Sequence, residues 1–205
     1  MAQDYSQWLT PERLRHEEEV WSEAPHERAQ AELVAAVCRE HALRSVVEFG
    51  CATGWQPSFL DGSGPETQYL GIDANPYCLD LARAKCPGRL FLQGDIRTVA
   101  APPADLVVSF AVLKHFHLSE WDAILTRILS FGRFGLVSVT IADRNIEDDC
   151  DFPHVWLTQE RLQRVVEKAG HAIIATPWST EVPSEWMVVT RRSCESAVLP
   201  SSPAS

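Results

Sequence analysis

Three apolar runs end in acidic residues whose spacing suits a nucleoside ligand. The first, SVVEF at 45–49, leads into Glu48-x-Gly50-x-Ala52-x-Gly54. Small residues at alternate positions let a backbone approach a ligand closely, and the N–H groups of a turn after a strand point at it. The carboxylate of Glu48, at the strand end, suits a cationic group better than a pyrophosphate. About twenty residues beyond the glycines, Asp73 closes the run at 68–72, where one carboxylate accepts both hydroxyls of a ribose. Asp95, in the turn GDI at 94–96, stands where a carboxylate accepts from an adenine amino group.

A second set lies farther along. His115 and His117 follow the apolar run at 105–110. An imidazole poised near neutral pH takes the proton of a hydroxyl or acid nucleophile. The competing reading is structural, since a histidine here also packs on a sheet edge or holds a loop. The same holds for Gly50 and Gly54 as plain turn residues and for Asp73 as the cap of the next helix. His154 lies in the loop after the fifth run. Asn75-Pro76-Tyr77 reads as a helix start. The acidic run at 147–151 reads as a solvated loop.

The elements around these residues follow from periodicity. Apolar runs rich in Val, Ile, Phe and Leu at 45–49, 68–72, 89–92, 105–110, 134–141, 172–175 and 185–190 predict buried strands. Helical spacing predicts helices over 25–43, 76–85, 119–129 and 158–169. Thr158 is the N-cap of the last, and Gly170 its stop. Thr10-Pro11-Glu12 begins a further short helix. The alternation implies a mainly parallel sheet with helices on both faces, its final two strands an antiparallel pair. The expected organisation is a helical cap at 1–43, a core at 44–192 and a disordered Ser/Pro-rich tail at 193–205.

Composition narrows the function. Across 205 residues, 28 acidic against 18 basic side chains give a formal charge of −10. An acidic chain disfavours a nucleic-acid backbone as the main partner. No apolar run reaches the ~18 residues of a membrane-spanning helix, and the polar N-terminus lacks a secretory signal. Six cysteines without a CxxC pair read as reduced thiols of a cytoplasmic protein.

Glu48-x-Gly50-x-Ala52-x-Gly54, the acid at Asp73, the Gly94-Asp95-Ile96 turn and the strand Asp105-Leu-Val-Val-Ser109 resemble, in order and spacing, the successive motifs of class I S-adenosylmethionine-dependent methyltransferases. The resemblance covers roughly residues 30–192. It implies a Rossmann-like α/β fold, with a seven-stranded, mainly parallel sheet and the last strand antiparallel. Glu48, Gly50, Ala52 and Gly54 would face the methionine half of the cofactor. Asp73 and Ala74 would meet the ribose, Asp95 and Ile96 the adenine, and Ser109 the neighbourhood of the methyl group. Arg28 is a candidate for the cofactor's carboxylate, and His115 for a general base.

This sequence departs from the family in three places. Ala52 replaces a usual glycine, a change a negative φ would accommodate. Lys114 stands where relatives commonly carry an acid, which places a cation near the substrate. Pro- and Gly-rich residues at 57–68 shorten the helix after the first turn. The reaction expected is methyl transfer to a small-molecule acceptor, leaving S-adenosylhomocysteine, by a monomer or homodimer with no membrane or nucleic-acid partner. The N-terminal aromatics Tyr5, Trp8 and Trp21 are candidates for a lid. The alternative is a catalytically inactive methyltransferase-like binding or scaffold protein. A nicotinamide-dependent oxidoreductase needs Gly-x-Gly-x-x-Gly, which Trp55 and Gln56 interrupt.

Overall fold

The structure, a computed structural model, describes residues 10, 12, 25–60, 67–147, 155–179 and 185–193. The chain runs α1 (Pro25–Glu40), β1 (Ser45–Phe49), α2 (Trp55–Leu60), β2 (Gln68–Asp73), α3 (Pro76–Lys85), β3 (Leu90–Gln93), β4 (Ala104–Ser109), a 3₁₀ turn (Leu113–His115), α4 (Leu118–Ser130), β5 (Gly132–Thr140), β6 (Ile146–Glu147), β7 (Val155–Trp156), α5 (Gln159–Lys168), β8 (His171–Ser179) and β9 (Glu185–Arg192). Tyr5, Trp8, Trp21, Cys150, His154, most of the helix expected from Thr10, and the tail beyond 193 lie outside the described residues.

Seven strands form one sheet in the order β3-β2-β1-β4-β5-β9-β8. Each neighbouring pair from β3 to β5 is parallel, and β9 runs antiparallel between β5 and β8. This is the Rossmann-like α/β fold expected, with its closing antiparallel pair. The chain winds outward from β1 to β3, then crosses back to lay β4 on the other side of β1. That reversal opens a crevice at the carboxyl ends of β1 and β4, where ligands of open α/β sheets bind.

Helix starts follow their caps. Asn75 accepts from the Tyr77 N–H ahead of Pro76, which needs no donor at the first helical position. Thr158 accepts from the Arg161 N–H at 3.2 Å. In α4, Trp121, Ile124, Leu125, Ile128 and Leu129 recur at helical spacing and are all buried against one face of the sheet, with Leu162, Val165 and Val166 of α5 in the same cluster. Val34, Ala35, Val37 and Cys38 of α1 cover the other face with Val46, Leu106 and Leu136.

The differences from expectation are local. Helix α1 ends at Glu40 rather than 43, because Ala42 turns left-handed (φ 53°) and drops Leu43 into the core. The two-residue strands β6 and β7 form a small antiparallel ribbon that the sequence did not announce. Cys38, Cys51, Cys78 and Cys86 are buried.

Candidate active site

The turn after β1 owes its shape to its own residues. Gly50 and Gly54 both have φ of +77°, a conformation that favours glycine. A Cβ on Gly50 would lie 2.1 Å from Val112 Cγ2, so the missing side chain admits a residue from the turn after β4. A Cβ on Gly54 would lie 3.0 Å from Ala82 Cβ of α3. Ala52 corrects the expectation of a negative φ. Its φ is +44°, held because its N–H donates to Asp73 Oδ2 at 3.0 Å. The N–H groups were expected to face a ligand, and here too the structure differs. Gly50 and Cys51 donate to the Ile72 carbonyl at 2.8 and 3.2 Å, and Gly54 to the Cys51 carbonyl at 2.9 Å. The turn shapes the crevice instead of lending it those donors.

Asp73 is the hub of this half. Oδ1 accepts from the Asn75 N–H at 2.8 Å and Oδ2 from Ala52. Burial raises its pKa, opposed by the N–H groups of Asn75, Ala52 and Ala74. The capping role weighed for it is therefore present, yet each carboxylate oxygen keeps capacity for another donor. Glu48, 4% exposed, accepts from the Tyr69 hydroxyl. Burial first, then the Glu48 charge, raises the Tyr69 pKa and keeps the phenol a donor. Period-2 alternation along β2 is the signal by which Tyr69 could have been placed on the Glu48 face. Ala74 offers its carbonyl to Gln93 Nε2 at 3.3 Å.

At the end of β3, Asp95 is exposed and Ile96 buried. Asp95 Oδ1 accepts from the Arg97 N–H at 2.7 Å, and Oδ2 from Arg97 Nη1 at 3.2 Å. The Asp95 carbonyl accepts from Thr98 and Val99, closing a tight turn.

The turn after β4 carries the second set. Ser109 is fully buried, and its Oγ has no hydrogen-bond partner among the described residues. Ala111 is left-handed (φ 54°), its N–H donating to Ser138 Oγ of β5 at 2.7 Å. Lys114 and His115, both half-buried, sit in the 3₁₀ turn. His117 is structural. Its Nδ1 meets Glu147 of β6, whose other oxygen accepts from the Leu118 N–H at 3.1 Å and so caps α4. Arg28 projects from the exposed face of α1, 3.9 Å from Glu32 one turn along.

These residues favour a polar ligand. Ser109 Oγ, and Gln56 Oε1 in the first turn of α2, are buried without partners, a condition native structures usually resolve with a ligand or water. Gln56 was not among the expected residues, since a glutamine in a short helix carries no motif. The strand reversal, a glycine turn and a partly satisfied acid at the end of β2 lie together at the carboxyl ends of the strands, where open α/β sheets bind ligands.

Residues 46–133 match the methyltransferase domain family. Two relatives named trans-aconitate 2-methyltransferase come from Methylobacterium species. The one from M. nodulans is 35% identical over 59% of this chain and 46% of its own length. The one from M. radiotolerans is 29% identical over 76% and 53%. The chain thus spans about half the length of the curated relatives it matches. Among solved structures, a Burkholderia thailandensis 1,6-didemethyltoxoflavin-N1-methyltransferase, crystallised with its substrate and S-adenosylhomocysteine, superposes with a TM-score of 0.69 at 15% identity, over 88% of this chain and 84% of that one. The match to the methyltransferase domain family spans 46–133, the stretch that carries the ordered motifs, and the superposition shows a shared fold.

Proposed function

We propose that the protein transfers a methyl group from S-adenosylmethionine to a small-molecule acceptor. The observation that carries this reading is Asp73, fixed at the crevice by two backbone N–H groups and still able to accept from a ribose diol. Asp95 takes the adenine amine, with Ile96 packed beneath it and Ala74 beside the ribose. Gly50, Ala52 and Gly54 shape the methionine end, where Glu48, held by Tyr69, supplies negative charge for the ammonium group. Arg28 answers the carboxylate. Ser109 lies beside the reacting centre, its unpartnered hydroxyl turned to polar use on binding.

Bound S-adenosylmethionine supplies an electrophilic methyl group, and its transfer leaves S-adenosylhomocysteine. The chain's own contribution is alignment and exclusion of water. His115 takes a proton from acceptors that hold one, such as a hydroxyl or an amine. An acceptor already anionic needs no base, and Lys114 on the same turn supplies the cation to hold it. The relatives' name, trans-aconitate 2-methyltransferase, supports a carboxylate acceptor of that kind. Of the cap expected at 1–43, helix α1 packs on the sheet as part of the core. Among the described residues no helix is long and apolar enough to cross a membrane. We place the protein in the cytoplasm, as a monomer or homodimer without a nucleic-acid partner, a reading its acidic charge supports.

The test is S-adenosylhomocysteine release on incubation with S-adenosylmethionine and a panel of small di- and tricarboxylic acids. Turnover is expected with at least one acid, and Lys114→Ala should raise its KM about tenfold with kcat little changed. Cofactor binding without turnover on any acid, amine or alcohol would favour the inactive-scaffold reading.

A further inference from the structure

The turn that carries Asp95 is built with more care than an exposed carboxylate needs. Arg97, two residues on, is 22% exposed, and its guanidinium is fixed on three sides. Nε donates to Glu120 Oε1 at 2.9 Å and Nη2 to Oε2 at 3.4 Å, a two-point grip by the first turn of α4. The guanidinium carbon lies 4.7 Å from the Phe116 ring centroid. Glu120 raises the Arg97 pKa, and Arg97 in turn lowers that of Glu120, so both stay charged. Only after these contacts does Nη1 reach Asp95 Oδ2.

Helix α4 also holds the turn from the other side. Arg127 Nε donates to the Ile96 carbonyl at 2.9 Å and Nη2 to the Val99 carbonyl at 2.5 Å. A Cβ on Gly94 would lie 2.4 Å from Val99 Cγ2, so the turn is closed on itself as well. Its backbone is thus fixed without Arg97. What Arg97 adds is the rotation of one carboxylate. The Asp95 side chain is 46% exposed and, without the guanidinium, would keep only the Arg97 N–H as a fixed donor.

We propose that Arg97, gripped by Glu120, is a positioning residue that sets the nucleobase specificity of the cofactor site. It does so by orienting Asp95 so that a carboxylate oxygen accepts from an exocyclic amine. This inference rests on the reading of Asp95 as the adenine acceptor. A base with a carbonyl in place of the amine presents an acceptor to an acceptor and is rejected. A site that holds its polar partner rigidly discriminates better than one that lets it turn away.

The test is a pair of calorimetric titrations, with S-adenosylhomocysteine and with its inosine counterpart, on the full chain and on Arg97→Lys, Glu120→Gln and Asp95→Ala. The wild type is expected to prefer the adenine ligand by about thirtyfold or more, as befits one hydrogen bond to a charged group. Asp95→Ala should reduce the preference to near unity, and Arg97→Lys and Glu120→Gln to about fivefold or less. A purely structural role would weaken both ligands together and leave their ratio alone. A wild-type ratio retained in Arg97→Lys and Glu120→Gln would overturn the inference. A ratio unmoved by Asp95→Ala would overturn the reading beneath it. Binding of neither ligand by the wild type would count against the cofactor itself.

Discussion

The turns after β1 and β4 solve the same problem with different materials. Each contains a left-handed alanine, Ala52 at φ 44° and Ala111 at φ 54°, and each alanine's N–H is pinned by a side chain from the neighbouring strand. The pin is a half-buried carboxylate in the first turn, Asp73, and a hydroxyl in the second, Ser138. Asp73 keeps acceptor capacity after pinning, so one residue both shapes the turn and offers itself to a ligand. Ser138 accepts from the turn, and on the neighbouring strand Ser109 Oγ is buried without a partner among the described residues. The two turns interlock where Val112 fills the space a Gly50 side chain would need. On the proposed reading, cofactor recognition and acceptor handling fall to separate turns that pack directly against each other.

The largest expected effect breaks the interlock. Gly50→Ala forces a side chain into a φ of +77° and onto Val112, and should destabilise the fold by about 3 kcal/mol, the sum of left-handed strain and overpacking. Chemical denaturation checks this, and adding Val112→Ala should restore the packing part, about half of the loss. No recovery in the double variant would mean the turns are not coupled through that contact.

A smaller change separates the two pins. Ser138→Ala leaves the Ala111 N–H without its acceptor and should cost about 1 kcal/mol in thermal or denaturant unfolding. Because only the second turn loosens, kcat should fall while affinity for S-adenosylhomocysteine stays within about twofold of the wild type. Equal losses in both would merge the two turns into one unit. The smallest effect sharpens the resemblance between the turns. Ala52→Gly and Ala111→Gly each relieve left-handed strain at the cost of chain entropy, for a net gain of roughly 0.5 kcal/mol in denaturation midpoints.

The two turns also differ in how plainly the sequence announced them. Motifs of acids and glycines marked Glu48, Gly50, Gly54, Asp73 and Asp95, because left-handed backbone and strand-end carboxylates demand particular residue types. Strong periodicity placed the strands of the sheet and helix α3, whose observed span, Pro76–Lys85, is the one expected. The conformation of Ala52 escaped, since its φ is imposed by a hydrogen bond from a residue 21 positions away. His117 and Glu147 escaped for the same reason: a cap made across 30 positions leaves no local pattern. Ribbon β6–β7 is too short for any period to register. Arg97 and Arg127 carry no motif, and their contacts arise where α4 packs against the turn after β3. The residues proposed to meet a ligand carry local motifs, whereas the partners that hold them come from distant parts of the chain.

The proposed role of Asp73 in cofactor binding is tested by calorimetric titration of S-adenosylhomocysteine into the wild type and Asp73→Ala. Micromolar binding is expected, weakened at least tenfold by the substitution, about 1.4 kcal/mol, with the variant's folded state verified by circular dichroism. Absence of heat and of any thermal shift for the wild type, or equal affinity in the two proteins, would contradict it.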